Sequence, residues 1–226
     1  GLLAFGRTAG DGSPAIAGDT RFNLASASKM FTAVAVAQLV DSGKVRLDDP
    51  IAKYLPSTVR VPSRDGRQIT LLDLATQTSG LPRLPSNLSL TNVVNPYADY
   101  TVRQLYEFLS SYELPRDIGG KFEYSNLGVG LLGHVLALRA RKSYEQLLVE
   151  RIITPLGMSD TRITLTPAMQ SRLAPGHNEA DTIVSNWDLP TLAGAGALPT
   201  VARIGKPDIS GRACGRRPGN FIPPSR

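Results

Sequence analysis

Apolar residues along this chain gather into a few dense runs separated by long polar connections, and the densest lies at residues 22–40 (FNLASASKMFTAVAVAQLV). Met30, Phe31, Ala33, Val34, Ala35, Val36, Ala37, Leu39 and Val40 leave it almost no polar face. That pattern predicts a helix buried on every side, stopped by Asp41-Ser42-Gly43 with Gly43 as its C-terminal cap. A helix start is expected at Asp49-Pro50 and another helix from Thr70 to Ala75. Thr101–Tyr112 carries Val102, Leu105, Phe108 and Leu109 on one face, as an amphipathic helix does. An extended stretch, Phe122 to Asn126, runs into a helix reaching about Arg141, and SYEQLLVERI (143–152) reads as the next. Leu2–Gly6 and Thr161–Leu165 read as short strands. Residues 57–69 are loop with Asp65-Gly66 as the tight turn. Residues 83–100 form a loop long enough to cover a site as a lid.

From about Pro199 the pattern is lost. Arg, Gly and Pro dominate, neither a helical nor a strand period remains, and the composition is that of a disordered tail. This changes the meaning of the net charge. The chain carries 25 basic and 19 acidic groups, a net charge of +6. Residues 201–226 hold Arg203, Lys206, Arg212, Arg216, Arg217 and Arg226 against Asp208, so residues 1–200 are nearly neutral. No basic face interleaved with aromatics is present to read nucleic acid. One cysteine, Cys214, excludes a disulfide framework and a cysteine-based metal site. His134 and His177 are too far apart in sequence to suggest zinc. No run has the length of a membrane span.

Candidate chemistry begins at Ser26 and Lys29. Three apart on a helix, they share a face, with Lys29 one turn above Ser26. A serine hydroxyl beside an amine is a nucleophile beside a base. In an apolar interior the ammonium form is disfavoured, which frees the amine to take a proton. The same residues also read as a helix start with a serine cap and a snorkelling lysine. Tyr124 and Asn126, at i and i+2 of the extended stretch, point the same way; they read as a proton shuttle and an orienting amide, or as an ordinary buried tyrosine and helix-starting asparagine. Gly128-Val129-Gly130-Leu131-Leu132-Gly133 matches the dinucleotide fingerprint G-x-G-x-x-G. Its polar preceding segment and the absence of a βαβ frame exclude that role; the small residues instead let this helix pack closely on a neighbour. No G-x-S-x-G elbow occurs, and neither histidine has a context that pairs it with a serine.

Together these stretches resemble the class C β-lactamase family and its relatives, the DD-peptidases, penicillin-recognising endopeptidases and β-lactamase-like esterases. The matching segments are FNLASASKMFTAVAVAQLVDSGKVRLDDPIAKYLP, ITLLDLATQTSGLP, GGKFEYSNLGVGLLGHVLA and ITPLGMSDT, in the family's order. The resemblance implies an α/β fold: a helical subdomain (about 46–160) and an antiparallel sheet with flanking helices. It implies Ser26 as nucleophile, Lys29 as general base, Tyr124 as the proton-transferring phenol and Asn126 as the substrate-orienting amide. The implied reaction is acylation of the serine by a β-lactam, D-Ala-D-Ala-like peptide or ester carbonyl, then attack by water. No cofactor or metal is implied. The Ser26 main-chain N–H at the helix start would serve as one oxyanion donor. The implied location is periplasmic.

The resemblance fades at both ends. The family's third motif, Lys-Ser/Thr-Gly or His-x-Gly, is not found after Asn126; Arg203-Ile204-Gly205 comes too early. Residues 1–200 are therefore expected to be a partial domain lacking most C-terminal strands, with residues 201–226 as an atypical basic tail. Apolar helix surface and an open sheet edge would then be exposed, giving weak turnover and a route to self-association. A β-lactamase-fold carboxylesterase and a non-catalytic, ligand-binding remnant remain as alternatives.

Overall fold

The structure is a computed structural model that describes residues 4–89 and 94–201. Leu2 and Leu3 of the first expected strand, Arg203-Ile204-Gly205, Cys214 and nearly all of the basic tail lie outside the described residues. Strand β1 (Arg21–Asn23) leads through a 3-10 turn (Ala25–Ser28) into helix α1 (Lys29–Asp41). The hairpin β2 (Ser63–Arg64) and β3 (Arg67–Gln68) follows, then α2 (Leu71–Ala75), α3 (Val102–Ser111), α4 (Asn126–Ala140) and α5 (Tyr144–Leu148). The chain continues through α6 (Pro167–Gln170) and the hairpin β4 (Gly176–His177)/β5 (Ile183–Val184) to β6 (Pro199–Val201).

Three helices begin with reciprocal side-chain caps, each satisfying two first-turn donors: Thr70 with Asp73, Thr101 with Gln104, and Ser143 with Gln146. The α1 helix ends where Gly43 takes φ 65°, which a residue with a Cβ adopts only at a cost. Among the described residues the strands form three antiparallel pairs. The one that matters for the site is β1 with β6, in register Arg21↔Val201, Phe22↔Thr200 and Asn23↔Pro199. One hydrophobic cluster joins the parts, with Ala35 and Leu39 of α1, Leu105 and Leu109 of α3, Leu131 and Val135 of α4, and Leu192 and Leu198 all buried in it.

Four expectations need correction. The α1 helix is not covered all round: Met30, Ala33, Val34 and Ala37 form an exposed apolar stripe. Ala4 to Gly6 form no strand. Thr161–Leu165 forms none either: the Arg162 N–H reaches the Pro199 carbonyl of β6, but the next two main-chain donors have another partner. The Glu145 carboxylate accepts the N–H groups of Ile163 and Thr164, at 2.8 and 2.9 Å, and the Thr164 hydroxyl. Residues 57–69 are more ordered than a loop: Asp65 and Gly66, both at positive φ, close the two-residue β2–β3 hairpin. His177 lies in β4. His134 is half-buried in α4, its imidazole Nε2 2.8 Å from the Tyr106 hydroxyl. No described helix is long and apolar enough to cross a membrane.

Candidate active site

Ser26 lies in the 3-10 turn just before α1, and its exposure follows from the backbone there. The preceding Ala25 sits at φ 46°, a left-handed conformation that costs a residue with a Cβ about 1 kcal/mol. The Asn23 side-chain oxygen holds it by accepting the Ala25 N–H at 2.8 Å. Residues three apart eclipse in a 3-10 turn, and the Lys29 ammonium accordingly stands over Ser26, donating to its Oγ at 3.0 Å. Lys29 is not in the apolar interior expected of it. It is half-buried, donates a second hydrogen bond to the Ala195 carbonyl at 2.5 Å, and lies 4.9 Å from the centre of the Tyr124 ring.

Glycines fix that carbonyl. A Cβ on Gly130 would lie 2.7 Å from Leu192 Cβ, and one on Gly194 would lie 2.7 Å from the Val129 carbonyl oxygen. The G-x-G-x-x-G helix thus packs backbone to backbone on the short turn Ala193–Ala195, the close packing that the small residues predict. Thr32 adds a tie from α1, its hydroxyl donating to the Gly194 carbonyl at 2.8 Å. That uses the only Thr32 proton, so the Tyr144 hydroxyl, 2.6 Å away, is the donor in their hydrogen bond.

Tyr124 reaches Ser26 from the other side, with its hydroxyl 2.6 Å from Oγ. Its segment is held by the loop after α2. The Gln77 carbonyl accepts the Glu123 N–H, and the Gln77 side-chain oxygen accepts the Ser125 N–H. Ser125 caps α4 by accepting the Gly128 N–H and donates to the Pro82 carbonyl. Burial of the Tyr124 phenol works to raise its pKa. Hydrogen bonding from Lys29 and Ser26, with the charges of Lys29 and Arg83, outweighs burial and leaves the phenol more acidic than usual.

A cavity of about 290 Å³ opens beside Ser26, lined by Asn126, Tyr97, Trp187, Leu189 and Gly196 among others, with no charged side chain in its wall among the described residues. Burial raises the Tyr97 pKa against a hydrogen bond with the Asn126 side chain. The Asn126 Oδ1 is buried with no hydrogen-bond partner among the described residues. An acceptor left in that state costs about 1–3 kcal/mol, which a donor on a bound molecule would recover.

All four residues singled out from sequence, Ser26, Lys29, Tyr124 and Asn126, therefore meet at one cleft. Sequence reading missed the aromatic pair Tyr97 and Trp187, 5.5 Å apart, the Ala195 carbonyl, Gln77 and Arg83. The small-residue run Gly194-Ala195-Gly196 was a readable signal of close approach; the aromatic wall had none, since its members sit ninety residues apart in loops.

Known proteins resemble this chain in sequence and in fold. The Beta-lactamase family profile matches residues 2–216. The chain is 39% identical over 155 residues to the D-alanyl-D-alanine-carboxypeptidase/endopeptidase AmpH of Escherichia coli K12, covering 69% of this chain and 40% of that protein. A β-lactamase/D-alanine carboxypeptidase from Yersinia pestis, solved with citrate, superposes with a TM-score of 0.78 at 32% identity, over 87% of this chain and 55% of that one. A class C β-lactamase from Rhodobacter sphaeroides does so with a TM-score of 0.71 at 29% identity, over 88% and 53%. The chain thus spans about half the length of these relatives or less.

Proposed function

We infer, from the premise that the chain belongs to the β-lactamase family, that it is a serine hydrolase working through an acyl-enzyme on Ser26. The observation that carries this reading is the convergence of the Lys29 ammonium at 3.0 Å and the Tyr124 oxygen at 2.6 Å on one exposed serine hydroxyl. In this reading the Tyr124 oxygen, 2.6 Å from Oγ and more acidic than usual, receives the Ser26 proton, and the Lys29 side chain against its ring stabilises the charge left there. Base and shuttle are then one Lys29–Tyr124 unit rather than two separate roles. Ser26 Oγ bonds to the carbonyl carbon, the oxyanion forms beside the Ser26 main-chain N–H, and the leaving group takes the proton back from Tyr124. Water then attacks the ester with Tyr124 as the proton acceptor.

The names of the relatives and the free acceptor on Asn126 favour substrates with an amide N–H beside the scissile carbonyl, namely β-lactams or D-Ala-D-Ala-like peptides. The uncharged cavity wall supports a second reading, a carboxylesterase acting on short esters. A periplasmic site of action goes with the peptide reading. Turnover of a chromogenic cephalosporin, a diacyl-Lys-D-Ala-D-Ala peptide and a p-nitrophenyl ester would be compared, with Ser26→Ala as the blank. Cephalosporin or peptide hydrolysis lost in Ser26→Ala supports the first reading. Ester hydrolysis alone supports the second, and activity that survives Ser26→Ala refutes both.

A further inference from the structure

Tyr124 has a second cation beside it that neither the sequence motifs nor the family match assigns. Arg83 follows the turn Ser79-Gly80-Leu81-Pro82, and its guanidinium carbon lies 5.2 Å from the centre of the Tyr124 ring. The residue is pinned where it stands. Its carbonyl accepts the N–H groups of Asn126 and Leu127, at 3.1 and 3.2 Å, and so holds the first turn of α4. Its side chain is exposed, and among the described residues no carboxylate pairs with it. Other arginines on this surface do find an acid: Arg46 has Asp48, Arg64 has Asp117, and Arg103 has Glu107. Arg83 faces a phenol instead.

We propose that Arg83 is a positioning residue for the reaction at Ser26, its guanidinium acting with the Lys29 ammonium to favour the deprotonated Tyr124 oxygen that accepts the serine proton. The proposal rests on the reading of Ser26 and Tyr124 as a reacting pair. The groups facing the phenol come from four elements: Ser26 in the 3-10 turn, Lys29 in α1, Arg83 in the loop after α2, and Tyr97 in the loop before α3. The neighbouring carboxylate, Glu123, is paired with Arg116. Two cations and a neutral phenol surround Tyr124, and a cation within about 6 Å of an aromatic ring is attracted to its face, more so when the ring carries a charged oxygen. Arg83 has no place in the cavity wall, so it acts through Tyr124 rather than on the acyl group.

The test uses Arg83→Gln, which removes the charge at similar length, and Arg83→Lys, which keeps it. Tyrosinate absorbance is titrated in each background with and without Tyr124→Phe, and the difference isolates Tyr124 without any need for turnover. Arg83→Gln should move the Tyr124 component to higher pH, and Arg83→Lys should leave it near its original position. Acylation at neutral pH should fall roughly two- to fivefold in Arg83→Gln, the worth of one exposed charge, and the gap should shrink in high salt. A Tyr124 component unmoved by Arg83→Gln overturns the proposal. Equal shifts in the two variants also overturn it, since packing rather than charge would then be at work. If the shift appears but Ser26 never acylates, the Arg83–Tyr124 coupling stands and the hydrolase reading falls.

Discussion

Replacing Gly194 by alanine sets a methyl group against backbone that has no rotamer to move aside. The new Cβ would lie 2.7 Å from the Val129 carbonyl oxygen, 3.1 Å from Gly133 Cα and 3.3 Å from Gly133 N. Restoring ordinary contact requires the turn and α4 to part by roughly half an ångström. Overpacking of this kind costs about 1–3 kcal/mol. The stiffer unfolded chain returns about 0.4–1 kcal/mol of that, so a net loss of roughly 1–2 kcal/mol is expected, a few degrees in Tm for a domain of this size. The chemistry should suffer more than the stability. The next residue, Ala195, carries the carbonyl that holds the Lys29 ammonium at 2.5 Å, and a misplacement of about 1 Å costs on the order of a hundredfold in rate. Half that displacement predicts roughly a tenfold slower acylation of Ser26. Urea unfolding followed by circular dichroism reads the first effect, and the time course of the penicilloyl adduct reads the second. Gly10→Ala is the control, because nothing lies within 4 Å of a Cβ there. If Gly194→Ala matches Gly10→Ala in both measurements, backbone packing does not position Lys29 and the chain of causes from glycine stripe to nucleophile is wrong.

Three further outcomes follow from the same contacts. Ser125→Ala removes the α4 cap and the donor to Pro82 at a site that is 1% exposed; a loss of about 1–3 kcal/mol in urea unfolding is expected, with slower acylation as Tyr124 loosens. Tyr144→Phe deprives Thr32 of its donor and should cost about 0.5–1.5 kcal/mol by the same assay. Hydrogen bonds from Lys53, Tyr54 and the Arg46 main-chain N–H lower the Asp49 pKa to about 2, below the unfolded carboxylate value of roughly 4. Its stabilisation is therefore whole above about pH 4 and is lost as pH falls toward 2. Unfolding measured at pH 5 and pH 2.5 should show a smaller acid loss in Asp49→Asn than in the parent chain.

The site was far more legible than the fold around it. Ser26 and Lys29 could be read together because a short spacing on one helix face is a local fact, and the same holds for Tyr124 and Asn126. What joins the two pairs is not local. The Ala195 carbonyl is 166 residues from the lysine it holds, and Arg83 lies over a ring 41 positions further on. The periodicity of 161–165 suggested a strand because the pattern cannot show that the Glu145 carboxylate takes its donors. The all-apolar face of α1 was read as complete burial. Hydrophobicity states what a surface would prefer to touch, and the exposed stripe of Met30 and Val34 shows that the described residues do not supply it.

The most direct test is the intact mass of the purified chain after incubation with a penicillin, run beside Ser26→Ala, with both shown to be folded by circular dichroism. An adduct of one penicillin on the parent chain and none on Ser26→Ala is the predicted result. It would establish Ser26 as a nucleophile activated by Lys29 and Tyr124. No adduct on a folded parent chain, or an adduct that persists in Ser26→Ala, would contradict the account.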